Sequence, residues 1–367
     1  MTPLVNPLLS IPSHREFHIP VYFGDDVKAA YKKQLEIKFK KVYNALNRIP
    51  IGYYAPTNKK TIIDKVQGFQ KSIISIADQY LDGYPSLAYE EFSKAVRLFE
   101  IDDELTTLQQ IQVPMNHTFF RIQVQRGPYK IKRKGPCGFF KYKKPFELFH
   151  PPFHKRRSVS TTRFSIPGYP SLYLSDKLQT SYSECIPEPD TDPFHAISFR
   201  NIRPLYFIDL SEERFIDDVN KFPGIKPLSS IDVSNITDHL GLYQLVIACH
   251  TKIDYVPYYK GERIQFKAEY ILPQLMLQWL KHNGFAVDGI RYKSCTSERR
   301  FAALNCHYNY VLPVRRSLDK GFCPTLASLF ASTETYSYLN PYTTADIENI
   351  LQQISQSLVS SSYVPLL

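Results

Sequence analysis

No run of about 18 apolar residues occurs in the chain, which argues against an ordinary membrane-spanning helix. The amino terminus, Met1-Thr-Pro-Leu-Val-Asn-Pro-Leu-Leu-Ser10, has neither a basic n-region nor a continuous apolar core, so it does not read as a secretion signal. CxxC pairs are absent as well. The six cysteines (137, 185, 249, 295, 306 and 323) are scattered, a usage expected of reduced thiols in a cytoplasmic protein. No metal centre is expected. His150 and His154 are four residues apart, but Pro151 and Pro152 between them prevent a shared helix face. Ser294 lacks the G-x-S-x-G context of a hydrolase elbow, and Gly127 and Gly135 form neither a Walker nor a Rossmann loop.

What is present is the material of a globular protein: 43% hydrophobic and 22% charged residues over 367 positions, enough for one large domain or two ordinary ones. The net charge of +10 is unevenly spread. From Arg126 to Arg157 there are eleven Lys/Arg and a single acid, Glu147, with Tyr129, Phe139, Phe140, Tyr142 and Phe146 interleaved. Such a segment is either a solvated loop or a patch for a polyanion. Its prolines and glycines rule out a basic amphipathic helix for a membrane surface.

Four segments are expected along the chain. Residues 1–24 hold several prolines and no sustained period, and read as an extended arm. Residues 25–112 read as an all-helical module. Its first helix carries Val27, Ala30, Tyr31, Leu35, Phe39, Val42, Tyr43 and Leu46 at helical spacing and stops at Pro50. A second helix runs to Leu81, a third covers about 86–99, and another turn or two is expected at 102–110. Residues 113–320 change texture to strands. These are expected at His117–Gln125, Leu172–Leu174, Phe194–Phe199, Leu205–Asp209 and Phe285–Tyr292, with a pair in Ala302–Val314. Helices are expected near 211–219, 237–253 and 268–282, the last with Pro273 in its first turn and ended by Gly284. Residues 321–367 are expected to contribute a terminal helix to about Leu358, capped by Thr343 or Thr344.

The stretch Thr162–Glu184 concentrates chemistry. Arg163, Tyr173 and Glu184 are separated by ten and then eleven residues, with a Gly/Pro turn at Pro167-Gly168-Tyr169-Pro170 between them. If the turn feeds a strand and then a helix, a cation, a ring and a carboxylate converge. Taken singly, each also fits a plain role: surface cation, buried ring, solvated helix residue.

In combination, Arg121, Arg163-x9-Tyr173-x10-Glu184 and Asp288-Gly-Ile-Arg-Tyr-Lys-Ser294 resemble the RES-domain family, toxin-like proteins named for an arginine, a glutamate and a serine. Flanking text also fits: Glu147-Leu-Phe-His-Pro-Pro-Phe153 and Glu269-Tyr-Ile-Leu-Pro-Gln-Leu-Met-Leu-Gln-Trp279. The resemblance spans about 115–315. It implies an α+β fold with an ADP-ribosyltransferase-like mixed β-sheet core, here preceded by the helical module that compact members lack.

It further implies an NAD glycohydrolase or phosphorylase, with NAD as substrate and no cofactor. Glu184, Arg163 and Tyr173 are the matching catalytic positions, and Arg121, Arg163, Tyr173 and Ser294 the binding ones. A helix-turn-helix antitoxin is the expected partner, and a homo-oligomer is left open. The chemistry of these residues agrees with that role. An arginine fork grips a pyrophosphate, and a tyrosine offers a face or a hydroxyl. A carboxylate stabilises an oxocarbenium-like transition state. Ser294 is expected to hydrogen-bond Glu184 or a ribose. Two alternatives stay open: an ADP-ribosyltransferase that modifies a macromolecule, and a non-enzymatic nucleic-acid-binding protein using residues 126–157.

Overall fold

The computed structural model describes residues 22–23, 26–48, 56–97, 110–124, 143–159, 161–185, 193–211, 230–255, 266–283, 287–294, 308–338 and 347–366. The fold is α+β, as expected: helices lead, and a sheet with helices follows. In chain order the first elements are β1 (Tyr22–Phe23), α1 (Val27–Arg48), α2 (Pro56–Leu81), α3 (Pro85–Arg97), β2 (Gln110–Val113), β3 (Thr118–Val124), β4 (Ser171–Ser175) and α4 (Leu178–Cys185). Then come β5 (Phe194–Asn201), β6 (Leu205–Leu210), α5 (Ser230–Cys249), β7 (Asp254–Tyr255), α6 (Ile271–Asn283), β8 (Gly289–Lys293) and β9 (Tyr308–Pro313). The chain closes with α7 (Pro324–Ala327), β10 (Phe330–Ser332), β11 (Tyr336–Tyr338), α8 (Ile347–Ser360) and β12 (Val364–Pro365).

The chain divides into two compact units. The first comprises Met1–Gln110, Thr161–Ile166 and Ile208–Phe285; the second comprises Ile111–Ser160, Pro167–Phe207 and Ala286–Leu367. This division cuts across the four linear segments expected from the sequence. The helices α5 and α6, which fall within the expected 113–320 segment, pack in the first unit with the N-terminal helices.

In the first unit, α1 buries Ala30, Tyr31, Leu35, Phe39, Val42 and Leu46 of the stripe expected from the three- and four-residue spacing, together with Ala45, while Val27 and Tyr43 of that stripe are only half-buried. Gln34 and Lys38 lie on the same face and are buried too; Lys38 Nζ donates to Thr251 Oγ1 at 3.1 Å. From residue 236 onward α5 is buried on nearly every side, which marks it as the central helix of this unit. Its polar Gln244 is satisfied by Gln70 of α2, whose Nε2 donates to Gln244 Oε1 at 2.9 Å.

A ten-stranded sheet, most of whose residues fall in the second unit, runs in the order β12-β10-β5-β3-β4-β9-β8-β6-β2, with β11 also paired to β5. The pairings of β3 with β5, β4 with β9 and β8 with β9 are antiparallel. Cores form on both faces. On one side Phe119, Phe149, Leu172, Leu174, Ile197, Phe199, Leu312 and Phe330 pack together. On the other, Phe120, Ile122 and Phe194 meet Leu178 and Tyr182 of α4 and Leu351, Ile354 and Leu358 of α8.

Some expectations need correction. Residues 110–112 begin a strand instead of ending the helical module, because Ile111 and Val113 turn inward against the sheet core. Among its described residues the C-terminal segment holds three strands and the short α7 besides the terminal helix; at two or three residues each, the strands are too short to show a period. The later part of the basic segment is not plain loop. Pro145–Leu148 and Phe153–Ser158 form 3-10 turns that seat Leu148, Phe149 and Phe153 in the core. Of the expected strand pair, β9 is seen at 308–313, while residues 302–307 lie outside the described residues. So do residues 212–219 of the helix expected at 211–219, Gly284, Thr343, Thr344 and residues 102–109.

Candidate active site

The second unit assembles a polar network around Glu184. The Pro167–Pro170 turn, with Gly168 at φ +71°, delivers the chain into β4, and α4 follows and carries Glu184 near its end. Ser294 Oγ donates to Glu184 Oε1 at 2.6 Å, and Asn309 Nδ2 donates to the same oxygen at 2.8 Å. Ser175 Oγ donates to Asn309 Oδ1 at 2.7 Å. Ser175, Asn309 and Ser294 are buried, at 4%, 4% and 1% exposure, whereas Glu184 is exposed. The carboxylate therefore reaches from solvent onto a buried polar base.

The sheet register explains how these groups meet. Residues directly opposite in an antiparallel pair project from the same face. Phe120 faces Ser175, Ser175 faces Asn309, and Asn309 faces Tyr292. Phe120 lies in the core beneath α4, so this row belongs to the α4 face. Tyr173, two residues before Ser175, shares that face at about 7 Å along the strand. Ser294, two residues beyond Tyr292, continues the alternation just past the end of β8. Tyr173 is half-buried.

Arg121 faces Ile197 and so starts from the opposite face. Strands β3 and β4 are in register at Phe120 and Ser175. One residue further on, Arg121 Nη1 donates to the Tyr173 carbonyl at 2.7 Å. Arg121 Nε is buried and has no hydrogen-bond partner among the described residues. Burial pushes the guanidinium below its ordinary pKa, while Cys185 and Tyr173 pull the other way; it remains a cation.

Arg163 belongs to the first unit. Its Nη1 donates to the carbonyls of Cys249 and Thr251, both at 2.8 Å, and its guanidinium lies over the Tyr270 ring at 5.1 Å. Those carbonyls stand at the end of α5, where backbone acceptors lack helical partners. This nitrogen thus acts as a helix-end anchor. The structure joins Glu184 to Ser294, puts Tyr173 on their face and attaches Arg121 to the Tyr173 backbone, all in the second unit.

Much of the motif text has an architectural explanation. Asp288, 2% exposed at its side chain, accepts from Arg203 Nη2 at 2.7 Å, Arg315 Nη2 at 3.0 Å and the Tyr206 backbone N–H at 3.0 Å. Gly289 passes so close to β9 that an added Cβ would lie 2.1 Å from the Val311 carbonyl oxygen. His150 is buried; Cys323 N donates to its Nε2, so Nδ1 carries the proton toward the Pro151 carbonyl. Burial lowers its pKa to about 4. Glu269 and Trp279 are both buried in the first unit.

Asn309 and Ser175 were not among the expected site residues. The alternation in β4 could have flagged Ser175, which follows Tyr173 by two, but nothing in the sequence ties Asn309 to Glu184. Next to Ser175, Asp176 accepts from Tyr308 N at 3.0 Å, and burial raises its pKa to about 7 against opposing bonds and the charges of Lys177 and Arg291. No group of three or more His, Cys, Asp or Glu suited to a metal occurs among the described residues. Nor is any described helix long and apolar enough to cross a membrane.

The chain is similar to the protein named "Putative toxin YopC" of Bacillus subtilis (strain 168), with 28% identity over 345 residues, covering 91% of this chain and 71% of that protein. No family profile matches the chain, and no solved structure does. The likeness to the RES family therefore rests on the residues quoted for it.

Proposed function

We propose that the chain is a toxin-like enzyme that cleaves the nicotinamide–ribose bond of NAD, with water or phosphate accepting the ADP-ribose. The observation that carries the reading is the Glu184 carboxylate, solvent-facing yet tied to buried Ser294 by a 2.6 Å hydrogen bond. The similarity to a protein named as a toxin and the RES-like spacing of Tyr173, Glu184 and Ser294 support it.

Departure of nicotinamide leaves positive charge on the ribose ring. A carboxylate fixed in place before the reaction stabilises that charge without reorganising, the main source of electrostatic catalysis. The leaving group is already cationic in NAD, so it departs without a general acid, and one carboxylate suffices. Tyr173 supplies a ring face or hydroxyl beside the carboxylate. Arg121 starts from the other face and is engaged with the Tyr173 carbonyl, so its part is to support β4 beneath Tyr173 and it is assigned no contact with the pyrophosphate. A helix-turn-helix antitoxin that covers this site is the partner class the reading calls for.

Incubating purified protein with NAD and quantifying free nicotinamide tests the reading. Release by wild type and its loss in Glu184→Ala are expected; no release by wild type sinks it. NAD labelled in its adenylate part separates the acceptors. Soluble ADP-ribose or its phosphate ester is expected, whereas label carried onto protein or nucleic acid indicates the transferase variant.

A further inference from the structure

The network beneath Glu184 converges on one carboxylate oxygen. Ser294 Oγ and Asn309 Nδ2 both reach Oε1, and Oε2 has no hydrogen-bond partner among the described residues. Asn309 is itself directed. An amide side chain presents one acceptor end and one donor end, and the two are interchangeable unless a neighbour fixes them. Ser175 Oγ lies 2.7 Å from Asn309 Oδ1, and the hydroxyl donates there. That contact turns the amide so that Nδ2 faces Glu184. Ser175 and Asn309 are register partners on β4 and β9, so the sheet holds the pair in place.

We infer that Asn309, oriented by Ser175, is the positioning residue of Glu184, and that it pins Oε1 so that Oε2 is the oxygen presented to the ligand. The assignment deepens the proposed NAD cleavage and rests on that reading for its catalytic consequence. Three features support a positioning role. The amide is buried, it carries no charge of its own that could serve a ligand, and its donor is spent on an exposed carboxylate on another element. Two donors on a single oxygen leave the second with the freer lone pairs. A glutamate at the end of a helix otherwise samples several rotamers. Ser294 alone would fix the distance to Oε1 but not the rotation of the carboxylate about it.

The test has two arms. The first needs no activity: crystal structures of wild type, Asn309→Ala and Ser175→Ala. The expected result is a single Glu184 conformer in wild type and a carboxylate spread over rotamers in both variants. An unchanged, ordered Glu184 in Asn309→Ala overturns the assignment. The second arm is a double-mutant cycle on nicotinamide release. Asn309→Ala is expected to lower kcat about tenfold or more, the size of one hydrogen bond to a charged group, with KM for NAD little changed. On a Glu184→Ala background, which removes the acceptor of Asn309, the same substitution is expected to have no further effect on the residual rate, and Ser175→Thr, which keeps the hydroxyl, to retain activity.

Equal fold-losses on both backgrounds would overturn a role through Glu184, because a residue acting only by supporting the fold lowers both alike. If wild type releases no nicotinamide, the NAD reading falls while the crystallographic arm still decides the positioning.

Discussion

Ser294 Oγ and Glu184 Oε1 stand 2.6 Å apart, although 110 residues separate them in the chain. The contact links the end of β8 to the end of α4, and the serine is buried while the glutamate is exposed. Removing the hydroxyl should therefore affect the carboxylate more than the fold. Ser294→Ala is expected to lower nicotinamide release about tenfold while costing no more than about 1 kcal/mol of stability. Steady-state kinetics and thermal denaturation on the same preparations check both halves.

Gly289 is a packing requirement. A Cβ at this position would lie 2.1 Å from the Val311 carbonyl oxygen, a backbone atom that cannot rotate away. Gly289→Ala forces β8 from β9 and should destabilise the protein by about 2–3 kcal/mol, with Ser294 displaced from Glu184 as a consequence. Denaturant unfolding measures the loss. Asp288 next to it should tolerate Asn poorly, since both Arg203 and Arg315 bind its Oδ1 side.

Arg163 gives a prediction of a different kind. Its Nη1 holds the carbonyls of Cys249 and Thr251, so Arg163→Ala should destabilise the first unit by about 1–3 kcal/mol. Hydrogen exchange is expected to quicken at the end of α5. Arg163→Lys should recover only part of this, because one ammonium lacks the planar fork.

Asp176 should leave a signature in pH. Its folded pKa, raised to about 7 by burial, exceeds the ordinary carboxylate value of 3.8. Between those two values the folded state binds the proton that the unfolded state has released. Stability from this group is thus complete below about pH 4, declines as pH rises, and is gone above about pH 7. Asp176→Asn keeps an acceptor for the Tyr308 N–H without the charge. The variant should melt at a higher temperature than wild type at pH 8, and the gap should close toward pH 4–5.

How much of this was legible beforehand follows from the length over which each signal repeats. The stripe Ala30, Tyr31, Leu35, Phe39, Val42 and Leu46 spans more than four turns and marks α1 clearly. Strand β3 carries enough alternation to be read, and β4, β5 and β6 are legible as short apolar runs bounded by turn residues. Strands β10 and β12, at three and two residues, cannot show a period and are held by partners distant in sequence. Tyr173, Glu184 and Ser294 could be picked from spacing because a short turn–strand–helix unit and a familiar block carry them. Asn309 could not, since its link to Glu184 exists only through the β4–β9 register. Lys38 was hidden for a related reason: a lysine among apolar residues reads as a solvated position until Thr251 is placed beside it.

The role proposed for Glu184 is to stabilise the positive charge that develops as the nicotinamide–ribose bond of NAD breaks. It is tested most directly by nicotinamide release from NAD by wild type and by Glu184→Gln, compared at equal concentration after both are shown to melt together. The glutamine keeps the shape and an acceptor for Ser294 but removes the negative charge. Release by wild type and a loss of at least a hundredfold in the variant are predicted, in line with removing a preorganised charge from an active site. Equal release by the two proteins, or none by wild type, would contradict the account.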